Sequence, residues 1–249
     1  HHSQIFYFTY LSCLLFYHND MKPLAFLFAS MLLILFGFNN NEMAARKPIP
    51  KWVSLFNGKN LEGWQMKISG YPLGENFGNT FRAEDGILSV RYNAYDSFRN
   101  RFGAIYYNKA FTNYRLKVEY RFVGETTVGA PSWGFRDGGI QYHCQSPASL
   151  GMNQSFPVCL EYNLHGGNGK DERPVGEICC SGMYATVNGK RNPSYCTPAT
   201  VKRTFHGDQW VTAEIEVRDG TVKHFVNGEE ILQFADPPYD TAHTIGKTF

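Results

Sequence analysis

Strict alternation of apolar and polar side chains is the feature that most restricts the fold of this chain. The side chains alternate in this way from Tyr114 to Phe122 and again over Val211–Arg218. A period of two puts the apolar side chains on one face, which is typical of a half-buried antiparallel strand. No segment after Lys47 shows a helical apolar period over three turns. We therefore predict an all-β protein.

Pairs of Asn or Asp with Gly separate the predicted strands. Asp219-Gly220 and Asn227-Gly228 divide the region after 211–218 into two further segments, 221–226 and 230–234. These pairs suit the positive φ angles of type I′ turns, so they predict a three-stranded meander. Further strands are predicted at 87–92, 103–107, 139–144 and 158–165. Further Asx-Gly pairs occur at Asn57-Gly58, Asp85-Gly86, Asp137-Gly138, Asn168-Gly169 and Asn188-Gly189. Strands joined by turns, without helices, predict an antiparallel sandwich or barrel.

Residues 21–45 have the composition of an export signal. Met21 precedes a short basic region, a fifteen-residue apolar run at 24–38 and a polar exit. This order predicts a signal peptide over 21–45 that is cleaved after Ala45. The apolar run is shorter than the roughly 20 residues that span a bilayer as a helix, although an uncleaved anchor is the alternative. We interpret residues 1–20 as extraneous upstream sequence and place one folded domain at 50–249. The expected location is periplasmic or extracellular, with no stable membrane span after cleavage.

Charge and aromatic content narrow the classes of partner. The net charge of +2 gives no indication of a nucleic-acid partner. Aromatic residues make up 16% of the chain, and surplus Trp and Tyr side chains often stack on the apolar faces of sugar rings. Carbohydrate is therefore the expected ligand class. No CxxC pair is present, which argues against a zinc knuckle, and no feature indicates an organic cofactor.

Two predicted strands carry polar side chains that differ from an ordinary solvated face. Glu161, Asn163 and His165 share one face of the strand 158–165, roughly 6.6 Å apart. Gln141 and His143 alternate in the same way on the strand 139–144. If the two strands are neighbours, these five side chains form one polar patch, which is a candidate site. The alternative is a face that is simply solvated.

Strand parity also bears on the five cysteines that follow Ala45. Cys144 lies on the face opposite His143, whereas Cys159 lies on the face of Glu161. A Cys144–Cys159 disulfide would therefore need a β-bulge, and we favour Cys196 paired with Cys179 or Cys180. An exported protein permits disulfides, and an odd number of cysteines leaves at least one thiol unpaired within the chain.

Motifs along 52–235 resemble the 3-keto-disaccharide hydrolase domain family. The likeness rests on the runs Trp52–Trp64, Phe81–Leu88, Tyr114–Phe122, Gly138–Tyr142, Glu161–Leu164, Gly207–Trp210 and His224–Glu229. The resemblance implies a concanavalin A-like jelly-roll sandwich, export from glycan-degrading bacteria and action on glycosides whose C3 hydroxyl is oxidised to a ketone.

The chain departs from the family pattern in two respects. Relatives often have Arg at the position of His143 and Gln at that of Asn163. The family also ends with one more strand that begins with a Gly-Tyr-Ile-like motif, whereas this chain stops at Phe249. We therefore expect a domain that lacks its last strand and is poorly soluble.

The implied chemistry assigns provisional roles to the patch. A C3 ketone acidifies the C2 hydrogen, so a base can remove it and the C1 leaving group can depart. We assign Glu161 or His143 as that base, with Gln141, Asn163 and His165 as substrate-binding groups. Trp133 and Arg136, in the loop region before the first strand, are expected to cover the sugar. A divalent metal held by His143, Glu161 and His165 is a further hypothesis.

Two other classes of function stay open. The spacing of Glu161, Asn163 and His165 matches the ExDxE strand of β-glucanases on the same fold, but the last position here is His. The usual two-carboxylate mechanism therefore lacks its second carboxylate on this strand. A non-catalytic carbohydrate-binding sandwich is the main alternative, and a structural domain of a surface complex is another.

Overall fold

The computed structural model describes the backbone of residues 5–15 and the whole of residues 51–191 and 194–235. The predicted signal peptide at 21–45 lies outside these residues. Three short 3-10 helices occur at Phe77–Asn79, Ser132–Gly134 and Pro147–Ser149. Among the described residues, no helix has the length and apolar character needed to cross a membrane.

All other regular structure in these ranges is β-strand, as the alternation predicts. The strands are β1 (Ile5–Leu15), β2 (Trp52–Ser54), β3 (Trp64–Ile68), β4 (Phe81–Glu84), β5 (Ile87–Arg91), β6 (Gly103–Tyr107), β7 (Tyr114–Val123), β8 (Asp137–Tyr142), β9 (Cys159–His165), β10 (Ile178–Ser181), β11 (Thr186–Val187), β12 (Lys190–Arg191), β13 (Cys196–Thr197), β14 (Val211–Arg218), β15 (Thr221–Val226) and β16 (Glu229–Ala235).

The larger sheet contains the predicted meander. Its order is β12-β11-β16-β15-β14-β7-β1-β5-β4, and β2 also pairs with β1. The turns between β14, β15 and β16 have positive φ at Asp219, Gly220, Asn227 and Gly228, which confirms the predicted hairpins. Strands β7 and β14 are neighbours, so the two alternating segments place their apolar faces side by side.

A smaller sheet packs its apolar face against the larger one. Its order is β13-β10-β9-β8, and β3 and β6 form a separate pair. Val118 and Tyr120 of β7 belong to one buried cluster with Leu160 and Tyr162 of β9. Burying such a side chain stabilises the fold by about 1.5–3 kcal/mol. The chain is therefore an all-β sandwich of antiparallel sheets, as predicted.

A buried histidine connects the two sheets. The Nδ1–H of His224, on β15, donates to the carbonyl of Gly176 at 2.9 Å. Its Nε2 is therefore the acceptor for the hydroxyl of Tyr142, on β8, at 2.7 Å. Burial lowers the pKa of His224 to about 4, so the ring is neutral near pH 7.

Strand β1 lies within the segment that we interpret as upstream sequence. It runs between β7 and β5 and pairs antiparallel with both. Its position is therefore central in the larger sheet. The division of the chain at residues 20 and 45 stays a prediction.

The predicted strand 139–144 is displaced in the structure. Strand β8 begins at Asp137, so Asp137-Gly138 is not a turn but pairs with His165 and Leu164. The strand ends at Tyr142 because His143 adopts a left-handed backbone conformation with φ of 51°. The sequence rule for Asx-Gly pairs was wrong here because neighbouring strands supply partners for an extended backbone.

Candidate functional site

The two strands that carry the predicted polar patch are neighbours. Gln141 lies opposite Glu161, and Asp137 lies opposite His165. Strand β10 continues the same face, with Cys179 opposite Glu161. We call this surface the polar face, which consists of Asp137, Gln141, Glu161, Asn163, His165, Glu177 and Cys179. It is the face of the small sheet turned away from the apolar core.

The Glu161 side chain leans across β8 in a space that a glycine provides. A Cβ atom on Gly139 would lie only 2.0 Å from Oε1 of Glu161 and 2.4 Å from its Cγ. Burial raises the pKa of Glu161 to about 7, and the nearby Asp137 carboxylate adds to the increase. A hydrogen bond from Gln141 and the positive charge of His165 act in the opposite direction. Glu161 can therefore exchange a proton near neutral pH.

His165 lies between two other carboxylates. Its Nδ1–H donates to the carbonyl of Pro174 at 3.0 Å, which leaves Nε2 directed at acidic groups. Nε2 is 3.7 Å from Oδ2 of Asp137 and 4.0 Å from Oε1 of Glu177. Burial disfavours the charged ring, but the interaction with Asp137 outweighs it, so the pKa of His165 is raised. The polar face thus holds a protonatable imidazole together with a carboxyl group that titrates near pH 7.

Asn163 is held by β10 and keeps one buried acceptor. Its Nδ2 donates to Oε1 of Glu177 at 3.3 Å, and the carboxamide also contacts the Cys179 sulfur at 3.8 Å. Its Oδ1 is buried and has no hydrogen-bond partner within the described residues. A bound hydroxyl group could donate to this oxygen.

A large cavity lies against the polar face. Its volume is about 1540 Å³, and its lining includes Gln141, His143, Glu161, Asn163 and His165. The cavity continues to apolar residues of β6 and β7, so it is larger than the polar site itself. Four of the five predicted residues therefore lie together on the polar face, and His143 lines the same cavity.

Aromatic rings line one side of this cavity. Phe102 stacks on Trp133 with ring centres 5.9 Å apart, and it packs against Phe98 and Phe156. Trp133 is 55% exposed and lines the cavity, as does the partly exposed Tyr195. An exposed, flat ring beside a polar face is the arrangement that suits a sugar ring with one apolar side.

Comparison with known proteins gives the family. A family model for the 3-keto-alpha-glucoside-1,2-lyase-like domain matches residues 51–247. The chain belongs to this family. A solved structure from Parabacteroides distasonis ATCC 8503, described as a "putative glycosyl hydrolase", is 22% identical, covers 76% of this chain and 73% of its own, and superposes with a TM-score of 0.45. No curated protein matches the chain.

Membership of the 3-keto-alpha-glucoside-1,2-lyase-like family confirms the resemblance read from the sequence motifs and makes this a glycoside-acting domain.

The structure places the predicted site residue Arg136 at the border of the site. Arg136 donates to the carbonyl of Gly207 and to Asp208, both at 2.8 Å, so this guanidinium is turned toward the loop before β14.

Three charged residues of the site were missed from the sequence. Arg173 lies with Asp137, His165 and Trp133 around a second cavity of about 440 Å³, and Glu177 completes the polar face. The pair Asp137-Gly138 resembles a turn signal, so Asp137 was not assigned to a strand. Arg173 and Glu177 lie in a segment without alternation. Glu177 could be placed beside Asn163 only if the alignment of β10 with β9 were known, and the sequence does not show which strands pair.

The glycines beside the two strands have a different role from the one expected. Glycines flank both strands at Gly138-Gly139 and Gly166-Gly167, and such glycines often mark a close approach of a ligand to the backbone. Instead, Gly139 accommodates Glu161, and Cβ atoms on Gly166 and Gly167 would meet the side chains of Arg136 and His206. These glycines position side chains of the site and of its border.

A metal held by His143, Glu161 and His165 stays a hypothesis, because these three residues do not form a close group of ligand atoms within the described residues. Within the described part of the chain, the candidate ligand atoms that lie within 4.8 Å of one another belong to Glu177, Cys179 and Cys196. Cys179 and Cys196 are joined in a disulfide, so their sulfurs are not thiolate ligands.

The disulfide confirms one of the two predicted pairings. Cys196 of β13 lies directly opposite Cys179 of β10, with Cα atoms 4.0 Å apart. Cys180 is a buried thiol that belongs to the apolar core. A disulfide is compatible with an oxidising, extracellular environment.

Proposed function

We propose that this protein cleaves 3-keto-glycosides by elimination, with Glu161 as the base that removes the C2 hydrogen. The observation that carries the proposal is that the carboxyl group of Glu161 lines the cavity and has its pKa raised to about 7. A general base is most effective when its pKa lies near the working pH. The description of the family as 1,2-lyase-like agrees with a reaction across C1 and C2.

In the proposed first step, the Glu161 carboxylate accepts the C2 proton. The electrons of the C2–H bond form an enolate with the C3 ketone, and the C1–O bond then breaks as the C1–C2 double bond forms. The leaving oxygen takes up a proton from the site. Addition of water across the new double bond would complete a net hydrolysis, so the same site supports lyase or hydrolase products.

The neighbouring groups suit the charges that develop. The protonated form of His165, which the nearby Asp137 favours, and the amide of Gln141 can stabilise negative charge on the C3 oxygen, because preformed donors are most effective where charge develops. The buried acceptor of Asn163 can receive a sugar hydroxyl. Trp133 can stack on the sugar ring from the aromatic side of the cavity. These assignments follow from position in the cavity.

His143 is the second candidate for the base. It lies at the end of β8 and lines the same cavity. Its left-handed backbone lies just beyond the last paired residue of β8, so His143 is outside the regular strand that carries Gln141. We therefore place it at the edge of the sugar and assign proton removal to Glu161.

A chromogenic 3-keto-glucoside tests the proposal. We expect release of the aglycone, a primary isotope effect when C2 carries deuterium, and no release from the unoxidised glucoside. Glu161→Gln should reduce kcat by about 100-fold or more, the range typical of a lost general base. His143→Ala should raise KM more than it lowers kcat. Full rate in both variants, or the absence of an isotope effect, would refute the assignment.

A carbohydrate-binding role without catalysis is the second candidate, and the exposed Trp133 stacked on Phe102 favours it. A binder would retain affinity for oxidised and unoxidised sugars alike and would release no product from either. Calorimetric titration of both sugars, together with the release assay on the same preparation, separates the two functions.

A further inference from the structure

Two pairs of cysteines face each other across strands of the small sheet. Cys179 and Cys196 are bonded, whereas Cys144 and Cys159 are both thiols. The second pair lies where β8 ends and β9 begins. Cys144 is partly exposed and lines the cavity, while Cys159 is buried.

A β-bulge brings the second pair into register. Tyr142 lies opposite Leu160, so a regular continuation of β8 would set Cys144 opposite Val158. Instead, the amide of Gln145 donates to the carbonyl of Val158 at 2.7 Å. Two residues, His143 and Cys144, therefore oppose the single residue Cys159, which defines a bulge, and the positive φ of His143 accommodates it.

The hydrogen bond beside this pair matches the one beside the existing disulfide. The amide of Cys180 donates to the carbonyl of Tyr195 at 2.8 Å, next to Cys179 and Cys196. In both places the residue after the first cysteine bonds to the residue before the second. Opposite residues next to such a bond form a close pair with Cα atoms about 4.5 Å apart, at the short end of the range that disulfides accept. The neighbouring Cys144 thiol raises the pKa of Cys159 well above its ordinary value, and burial adds to this increase.

We propose that Cys144 and Cys159 form a second disulfide in the exported protein. The partly exposed Cys144 thiol attacks an incoming disulfide, such as oxidised glutathione or a disulfide-exchange protein, and releases one thiol of that reagent. Cys159 then displaces the second thiol. Two protein thiols are thereby oxidised to one S–S bond, and the incoming disulfide is reduced to two thiols.

The bond would fix the bulge that carries His143. It would join the end of β8 to β9 at the cavity wall, one residue after the His143 side chain. The loop that it closes, between residues 144 and 159, includes Phe156 of the aromatic cluster. The disulfide would therefore order one side of the cavity and restrict the unfolded chain.

Peptide mapping tests the proposal without any assay of activity, so its failure is distinct from failure of the proposed reaction. The purified full chain is oxidised with glutathione disulfide, unfolded in the presence of an alkylating reagent and digested. We expect a crosslinked peptide pair that contains Cys144 and Cys159, beside the Cys179–Cys196 pair. Alkylated Cys144 and Cys159 in a sample that retains the Cys179–Cys196 bond would overturn the proposal, as would a crosslink of Cys144 to another cysteine.

Two variants make the assignment specific. Oxidation should raise the melting temperature of the wild type by roughly 5–10 °C, as expected for a closed loop of about 15 residues in a domain of this size. Cys144→Ser should abolish both the crosslink and the oxidation-dependent shift. Cys180→Ser is the matched control, because Cys180 is a buried thiol of the same sheet, and it should retain both. Equal behaviour of the two variants would contradict the proposal.

Discussion

At the scale of single residues, the site depends on a carboxyl group that is held out of water. Burial of Glu161 disfavours its charged form, and Asp137 adds repulsion, so its pKa lies near 7 and not near 4.5. The native protein therefore retains this proton between pH 4.5 and about 7, whereas the unfolded chain loses it. The native state loses stability relative to the unfolded state as the pH rises through this window.

Glu161→Gln should consequently lower activity and increase stability. In the wild type, kcat/KM should rise as the pH increases through about 7, because the base must be ionised. At pH 8 the variant should be more stable than the wild type by about 1–2 kcal/mol. This is less than the full pKa shift would give, because solvent in the cavity reaches part of the Glu161 side chain. Urea unfolding at pH 8 and at pH 4 measures the difference, which should disappear at pH 4. A variant that is less stable at pH 8 would contradict the assigned pKa.

Gly139→Ala should impair the site while preserving the sheet. The new methyl group would occupy the space of the Glu161 side chain, whose Cγ would be 2.4 Å away. We expect a loss of kcat of about 10–100-fold, the effect of a small displacement of a catalytic group. The circular dichroism spectrum and the melting temperature of the variant check that the sheet is preserved. Unchanged release of aglycone by Gly139→Ala would contradict the positioning role.

At the scale of elements, alternation and turn signals predicted β5 to β9, β14 to β16 and the polar patch on β8 and β9, but neither the other strands nor the exact ends of these. The period of two in β7, β9 and β14 is visible because one face of each is buried. The extension of β8 to Asp137 and its end at Tyr142 depend on pairing with β9 and on the bulge at His143. Such contacts are distant in sequence, so Asp137 and Glu177 could not be assigned to the site beforehand.

The contact between the two sheets at His224 should make the fold sensitive to acid. The pKa of His224 is about 4 in the native protein, whereas the ordinary value, which applies to the unfolded chain, is 6.5. Between pH 4 and pH 6.5 the unfolded chain therefore binds a proton that the native state excludes. The contribution of the neutral His224 ring to the free energy of unfolding is fully present above pH 6.5 and is lost as the pH falls toward 4. Between pH 7 and pH 5 the loss should be about 2 kcal/mol.

A variant isolates this effect from other titrating groups. His224→Leu should be less stable than the wild type at pH 7, because the Tyr142 hydroxyl and the Gly176 carbonyl lose their partner. The stability difference between the two proteins should narrow by about 2 kcal/mol at pH 5. Parallel pH profiles in urea unfolding would show that His224 does not titrate as assigned.

At the scale of the whole molecule, β1 and the predicted cleavage exclude each other. Cleavage after Ala45 would remove β1, which lies between β5 and β7 and also pairs with β2. The larger sheet would then separate into two parts. One part would contain β4 and β5, and the other would contain β7, β14, β15, β16, β11 and β12. Both new edges would present unpaired backbone groups, which favour aggregation.

We therefore expect the chain of residues 47–249 to be poorly soluble and easily unfolded, because the position between β5 and β7 must be filled by a strand. Light scattering after gel filtration and thermal unfolding compare it with the full chain. A synthetic peptide of residues 5–15, added in trans, should reduce the aggregation and raise the melting temperature, since it can restore the antiparallel pairs with β5 and β7. A peptide of the same composition in scrambled order is the control. If residues 47–249 form a monomer as stable as the full chain, β1 is dispensable, and the interpretation of residues 1–20 as extraneous sequence gains direct support.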